Sequence, residues 1–444
     1  DNQTMCPSYM VTHEEKHTTR GRAHLLWEML HGDPIKKGWR DDNVKEALDL
    51  CLSCKGCKGD CPVNVDMATY KAEFLSHYWE RRLRPRSAYA FGLIDKWARV
   101  SSLVPGLVNL ATSTPGIREL AKLAVGMPFE RSIPQFAPEP FTRWFRKNRP
   151  GARIEEGKTV LLFPDTFNNY FFPQTARAAV EVLEHLGYQV VLPESYVCCG
   201  RPLYDYGFLD AAEKYLLNLM KVLRPALDAK IPIVVLEPSC WSVMRDEVNE
   251  LFPDRPDAHH LMENTFLLAE FLEKHSDTDR LPKLRAKVMM HAHCHHKAII
   301  KKAEHEENLL RKMGAELHEL TSGCCGMAGS FGFEKDKYDV SVQVGEHNLL
   351  PAVRRAGLNT PIVADGFSCR EQVAQLTNRH PLHFAELLKL AMKGDGLGFR
   401  TMPENEILAP HRTAVRKSKL RAGVAVGAIV AGAGLLSWAL HRCS

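Results

Sequence analysis

Two hydrophobic periods alternate through the second half of the chain. KTVLLFPD, YQVVLPES and IPIVVLEPS are short apolar runs of strand length. Between them, TARAAVEVLEHLG and DAAEKYLLNLMKVL repeat apolar positions every three to four residues, the period of a helix with one buried face. The same order then returns: KVMMHAH as strand, HEENLLRKMG as helix, AELHELTS as strand, VGEHNLLPAVRRAG as helix and TPIVADGFS as strand. A β-α-β-α-β alternation given twice predicts parallel sheets covered by helices. Ahead of it, prolines 105, 115, 128, 134, 138 and 140 punctuate a stretch that reads as short helices and a connector.

The two copies align on cysteines. Cys198-Cys199-Gly200 matches Cys324-Cys325-Gly326, and a Gly-Phe pair follows each. Pro238-Ser239-Cys240 matches Phe367-Ser368-Cys369, and Thr166 stands where the second copy has Cys294. All of these positions follow predicted strands, and the carboxyl ends of parallel strands form the ligand crevice of an open sheet. Cys294, Cys324, Cys325 and Cys369 are therefore expected to converge on one metal cluster, with Gly326 letting the backbone approach closely. Cys198, Cys199 and Cys240 lack a fourth thiol. They leave four readings open: an incomplete cluster, another metal, a thiol redox site, or a decayed site kept for structure. His291 and His293 are read as alternating along the strand before Cys294 and sharing a face with His295. They are candidates for tuning a cluster through charge or hydrogen bonds.

Near the start, Cys51, Cys54, Cys57 and Cys61-Pro62 spell C-x2-C-x2-C-x3-C-P, the bacterial ferredoxin run. In that pattern the first three cysteines share a cluster with the cysteine of a distant Cys-Pro, and Cys6-Pro7 supplies one. Cys61 should then serve a second cluster whose other ligands lie before Cys6. Those cysteines are absent, so the chain is expected to begin inside a longer polypeptide or beside a partner that supplies them. A zinc site, the rival reading, would use two separated pairs.

Composition narrows the classes further. The chain has 444 residues, 45% hydrophobic and 25% charged, as expected of a globular protein of several domains. Its net charge of +5 is carried by the basic residues after His411, so the body is near neutral and offers no nucleic-acid footprint. Thirteen clustered cysteines, without an apolar leader, speak for metal or redox chemistry rather than a secreted disulfide framework. Ala422 to Leu440 is an uncharged run of 19 residues behind a basic flank. It is expected to anchor the body to the inner face of a cytoplasmic membrane, the alternative being a surface-lying helix. Cys443 beside it is a candidate for palmitoylation.

MCPSYMVTHEEKHTTRGRAHLLWEML, LDLCLSCKGCKGDCPVNVDMATYKAEFL and the two CCG stretches resemble one family, the iron–sulfur half of bacterial FAD-linked oxidases of the D-lactate dehydrogenase and glycolate oxidase type. The CCG stretches also resemble the CCG-bearing subunits of heterodisulfide reductase and of anaerobic glycerol-3-phosphate dehydrogenase. The resemblance implies an α-helical ferredoxin-like domain over 1–97 and a helical connector over 98–157. It implies CCG repeats over 158–280 and 281–395, before a basic linker (396–421) and the candidate anchor (422–440). It implies a [4Fe-4S] cluster on Cys6, Cys51, Cys54 and Cys57, another on Cys294, Cys324, Cys325 and Cys369, and Cys61 serving a further one. It also implies FAD on an upstream domain or partner that oxidises a 2-hydroxy acid such as D-lactate, glycolate or D-2-hydroxyglutarate. Electrons would pass through this chain to a quinone or other carrier. The rivals are a heterodisulfide reductase-like thiol–disulfide oxidoreductase and a zinc-stabilised interaction scaffold. No G-x-G-x-x-G fingerprint follows a strand, so this chain is not expected to bind the dinucleotide itself.

Overall fold

Among the described residues, seven short strands build two parallel sheets. β1 (Thr159–Leu162), β2 (Gln189–Val191), β3 (Ile233–Val235) and β4 (Thr265–Leu267) lie in the order β2-β1-β3-β4. β5 (Lys287–Met290), β6 (Glu316–Glu319) and β7 (Ile362–Val363) lie in the order β6-β5-β7. The register sets Thr159 opposite Gln189, Leu161 opposite Ile233, Val288 opposite Leu317 and Met289 opposite Ile362. This is a computed structural model, and it describes residues 5–151, 158–300, 304–320, 323–394, 396 and 398–443, without the side chains of 300, 319 and 430–443.

Each sheet runs from its first strand to a neighbour on one side and then crosses to the other side. The reversal leaves a crevice beyond the carboxyl ends of β1 and β3, and of β5 and β7. The repeats share one core: Val160 and Leu162 of the first sheet, Val288, Met290 and Val363 of the second, and the helices Pro173–His185 and Phe384–Lys393 between them. Across that seam Thr175 Oγ1 donates to Glu386 Oε1 at 2.8 Å.

Residues 7–78 are mainly helical, as expected. Thr18, Asp41 and Asp66 cap three of the helices by accepting backbone N–H groups. Val44, Leu48, Met67 and Phe74 form the core there. The helix Gly56–Asp60 lies directly on the helix Cys294–Ile300 of the second repeat. A Cβ at Gly59 would stand 2.8 Å from the Ala298 carbonyl oxygen.

Several expectations are corrected. β4 was not among the expected strands; Thr265–Leu267 pair with β3. β5 stops at Met290, where both neighbouring strands end, so HAH is a loop and His295 lies in the following helix. VGEHNLLPAVRRAG forms parts of two helices, Tyr338–His347 and Leu349–Arg355. Pro351 has no N–H to donate and its ring opposes the carbonyl of residue 347. The boundary at 97/98 cuts the helix Ile94–Ser101. The linker and anchor are one helix, Glu404–Cys443, because no breaker separates the basic flank from the uncharged run. Among the described residues no helix is long and apolar enough to cross a membrane. The side chains of 430–440 and of Cys443 lie outside the described residues.

Candidate metal centres

The ferredoxin run closes on itself. Cys6, Cys51, Cys54 and Cys57 line one small cavity together with Arg22, Ser53, Lys55 and Met67. Cys6 is held by the Thr19 N–H, which donates to its Sγ at 2.9 Å, and the Met67 N–H points at Cys57 Sγ at 3.4 Å. Cys6, Ser53 and Lys55 adopt left-handed φ of 54°, 50° and 58°. Such values cost a non-glycine residue about 1 kcal/mol or more each, and here they bend the backbone around the sulfurs. Burial, and then the nearby Cys294 thiol, push the Cys54 thiol well up, and burial pushes Cys57 up to about 11. Buried thiols of this kind become thiolates only against a bound cation, so the donor set suits a cluster of iron.

Lys71 was missed by sequence reasoning. Its Nζ is buried and donates to the Cys51 carbonyl at 2.7 Å, and burial, then Lys337, lower its pKa. The signal was a Lys on the inner face of the helix Met67–Tyr78. Lys55 is fully buried on Asp66, Asp246 and Glu247, at 2.9, 2.5 and 3.2 Å, and ties the cysteine loop to the first CCG repeat. Cys61 stands apart at the end of the helix Gly56–Asp60 and does not line the cavity. The Val65 and Val63 N–H groups lower the pKa of its thiol from the ordinary value.

In the second repeat Cys294, Cys324, Cys325 and Cys369 come together. Cys324 is hydrogen-bonded to Cys294 and Cys325, and Cys325 also to Cys369 and His291. Bonds from Cys324 and Cys369 hold Cys325 well below a free thiol. Gly326 follows at φ +89°, and a Cβ there would lie 2.2 Å from the Ser341 carbonyl oxygen. Of the candidate histidines, His291 touches a sulfur. His295 Nε2 instead meets the Ser53 carbonyl of the ferredoxin loop at 2.9 Å, and the His295 backbone N–H donates to His293 Nδ1 at 3.2 Å. Burial holds His293 down to about 3 and His295 well below the imidazole range, and neither ring is hydrogen-bonded to a sulfur in the contacts described above.

The first repeat repeats the arrangement with one substitution. Cys199 Sγ lies 3.1 Å from Cys240 Sγ, and Thr166 Oγ1 lies 3.9 Å from Cys198 Sγ in the place of the missing thiol. The bond from Cys199 lowers the Cys240 thiol, but burial and the Asp165 and Glu237 carboxyls outweigh it and take Cys240 up to about 12. Glu237 went unremarked in the sequence, although it precedes Pro-Ser-Cys at the end of β3. It accepts the Phe367 N–H at 2.8 Å and links the two repeats; burial and Asp165 raise it to about 7.

The sites are neighbours. Cys54 packs with Cys294 and Cys324 in one apolar cluster that includes Leu52, Phe331 and Val344. Beside them lies a cavity of about 1040 Å³ bordered by Cys51, Cys198, Cys240, Cys294, Glu237 and His295. The buried Nδ1 of His295 has no hydrogen-bond partner among the described residues.

Helical cysteine run and paired CCG crevices together define an iron–sulfur protein. The 4Fe-4S dicluster domain family matches residues 3–65, and the cysteine-rich CCG domain family matches 162–245 and 288–373. One subunit of the anaerobic glycerol-3-phosphate dehydrogenase of Escherichia coli is 30% identical over 302 residues, 67% of this chain and 75% of that protein. Lactate utilization protein A of Exiguobacterium sp. is 32% identical over 247 residues, 53% of this chain and 98% of that protein. D-2-hydroxyglutarate dehydrogenase of Pseudomonas putida is 27% identical over 426 residues, 86% of this chain but 41% of that protein. The chain thus spans about two fifths of such dehydrogenases. It belongs to the family of 4Fe-4S proteins with two CCG domains that forms the iron–sulfur half of FAD-linked oxidases.

Proposed function

We propose that this chain is the electron-transfer part of a flavin-linked 2-hydroxyacid dehydrogenase. The observation that carries the reading is the single apolar cluster in which Cys54 of the first centre meets Cys294 and Cys324 of the second. Cys6, Cys51, Cys54 and Cys57 hold one [4Fe-4S] cluster, and Cys294, Cys324, Cys325 and Cys369 hold another. Cys61 reaches for a further cluster completed by a flavin-bearing domain or partner. Bound there, such clusters accept and release single electrons. The residues of the chain fix their surroundings: Lys71 donates to the Cys51 carbonyl, His291 binds Cys325, and the shared apolar packing excludes water between the centres. The named D-2-hydroxyglutarate and glycerol-3-phosphate dehydrogenases among the relatives support an oxidised hydroxy compound as electron source. A quinone is the acceptor best suited to the apolar cavity, and the basic flank of the tail supports a place on the cytoplasmic face of a membrane.

Iron content and electron paramagnetic resonance test the assignment. Cys324→Ser should remove one cluster's iron and one reduced signal and leave the ferredoxin-type signal. A purified protein that binds zinc in place of iron would sink the reading and favour a scaffold.

A further inference from the structure

HAHCHHK of the second repeat corresponds to FPDTFNN of the first, and the exchange removes more than one thiol. Phe163 stands in the place of His291, Asp165 in that of His293, Thr166 in that of Cys294 and Phe167 in that of His295. His291 gives Cys325 a hydrogen bond, whereas Phe163, packed with Cys199 and Cys240, has none to give. The Thr166 hydroxyl keeps its proton at any ordinary pH and is a poor partner for iron beside thiolates.

The thiols that remain are arranged as a pair. Cys199 Sγ lies 3.1 Å from Cys240 Sγ, and both residues are buried. An approach of about 1 Å would join them as a disulfide. Cys198 is also hydrogen-bonded to Cys199, but the two are adjacent in the chain. Neighbouring Cα atoms stand about 3.8 Å apart, short of the roughly 4.4 Å at which unstrained disulfides begin.

The surroundings suit a couple that carries no charge. The buried carboxyls of Asp165 and Glu237 act on Cys240, with Arg370 set against them. Those carboxyls oppose further negative charge on the sulfurs. A dithiol and a disulfide are both neutral, because protons travel with the electrons.

The pair also sits beside the second centre. Cys199, Cys240 and Cys294 border the same cavity of about 1040 Å³. The helix Pro238–Ser242, which holds Cys240, lies on the helix Cys294–Ile300, and Trp241 meets His296 edge-on at 5.8 Å. Phe167 and Phe367 stack across the repeats at 4.2 Å.

We infer that Cys199 and Cys240 form a redox-active dithiol that stores two electrons beside the second CCG centre. The inference rests on the electron-transfer reading above. In the oxidised state the two Sγ atoms are bonded. Two electrons from the reduced flavin of the dehydrogenase part, arriving singly through the centres, break that bond, and two protons from water complete the thiols. Loss of both electrons to the terminal carrier, with release of both protons, restores the disulfide. Flavin gives up electrons in pairs and clusters pass them singly, so the store lets a pair collect in one place.

The full, iron-loaded chain tests it. Samples are held anaerobically at a series of potentials with dye mediators and quenched in acid. Free thiols are blocked with N-ethylmaleimide, disulfides are then reduced and labelled with iodoacetamide, and both labels are read by mass spectrometry. At high potential Cys199 and Cys240 should take the iodoacetamide label together, and the labelled fraction should follow a two-electron Nernst curve. Cys199→Ser should lower the label on Cys240 about tenfold, and Cys240→Ser that on Cys199, while Cys198→Ser leaves both labels in place. Each variant should keep the iron of the two complete centres. Cys199 and Cys240 found as thiols at every potential in the wild type, or Cys240 bridged to Cys198, would overturn the inference. Loss of a bound metal from Cys199→Ser, read as iron or zinc, would do the same, since thiols that hold a metal are not free to join. Electron paramagnetic resonance of the same samples reports separately on the electron-transfer reading: centres that reduce while the pair stays as thiols throughout would refute the store alone.

Discussion

At the scale of single residues, the two CCG turns make one demand and meet it differently. Both glycines are left-handed, Gly326 at φ +89° and Gly200 at +77°. A Cβ at 326 meets backbone at 2.2 Å, whereas at 200 it meets the Tyr215 side chain at 3.2 Å. Gly326→Ala is therefore expected to cost more than about 2 kcal/mol and Gly200→Ala about 1 kcal/mol. Urea unfolding of each variant checks this, and equal costs would show that the Ser341 contact does not constrain the turn. The cysteines divide the same way. Cys198→Ser should release less iron than Cys324→Ser, because Thr166 already replaces a ligand in the first repeat. Equal losses, by iron assay, would mean that the Thr166 hydroxyl does not weaken the first site.

Elements set the distance between the centres. The helix Gly56–Asp60 carries the third cysteine of the run, and the helix Cys294–Ile300 begins with the first cysteine of the second CCG site. Gly59 is what lets them touch, so Gly59→Ala should separate them by a few tenths of an ångström or more. The expected result is weaker magnetic coupling between the two reduced clusters at unchanged iron content; coupling equal to wild type would show that the helix contact does not govern the spacing. Lys55 secures the same joint. Lys55→Ala leaves Asp66 and Asp246 without their buried cation and should cost about 3–5 kcal/mol in urea unfolding. This network was not legible in the sequence, because Lys55 and Asp246 are 191 residues apart.

For the whole molecule, the tail helix is a docked part with its own pH dependence. His411 packs against Phe172 with ring centroids 5.9 Å apart; burial and the facing Arg177 and Arg412 hold it down to about 4. Released from the body, the ring would titrate near its ordinary value of about 6.5. Docking is therefore fully favourable above that value and is lost as pH falls through about 6.5 towards 4, because only the undocked ring takes the proton. Hydrogen exchange over 404–429 should rise in that window in wild type, and His411→Phe should flatten the response.

The sequence by itself determined the cysteine spacings, the repeat and the parallel sheets. Cysteine spacing is fixed by the size of a cluster, and a buried strand must be apolar throughout, so both leave local marks. It also specified Thr166 as the odd position of the first repeat. Only the tertiary structure decided that the two complete cysteine sets share one apolar cluster, that His295 serves the Ser53 carbonyl rather than a sulfur, and that the uncharged tail continues a helix lying across the connector. These facts depend on close approaches between segments distant in sequence, at Gly59 and Ala298 or Gly106 and Ser418. A glycine that admits a neighbour's backbone looks, along the chain, like any other glycine.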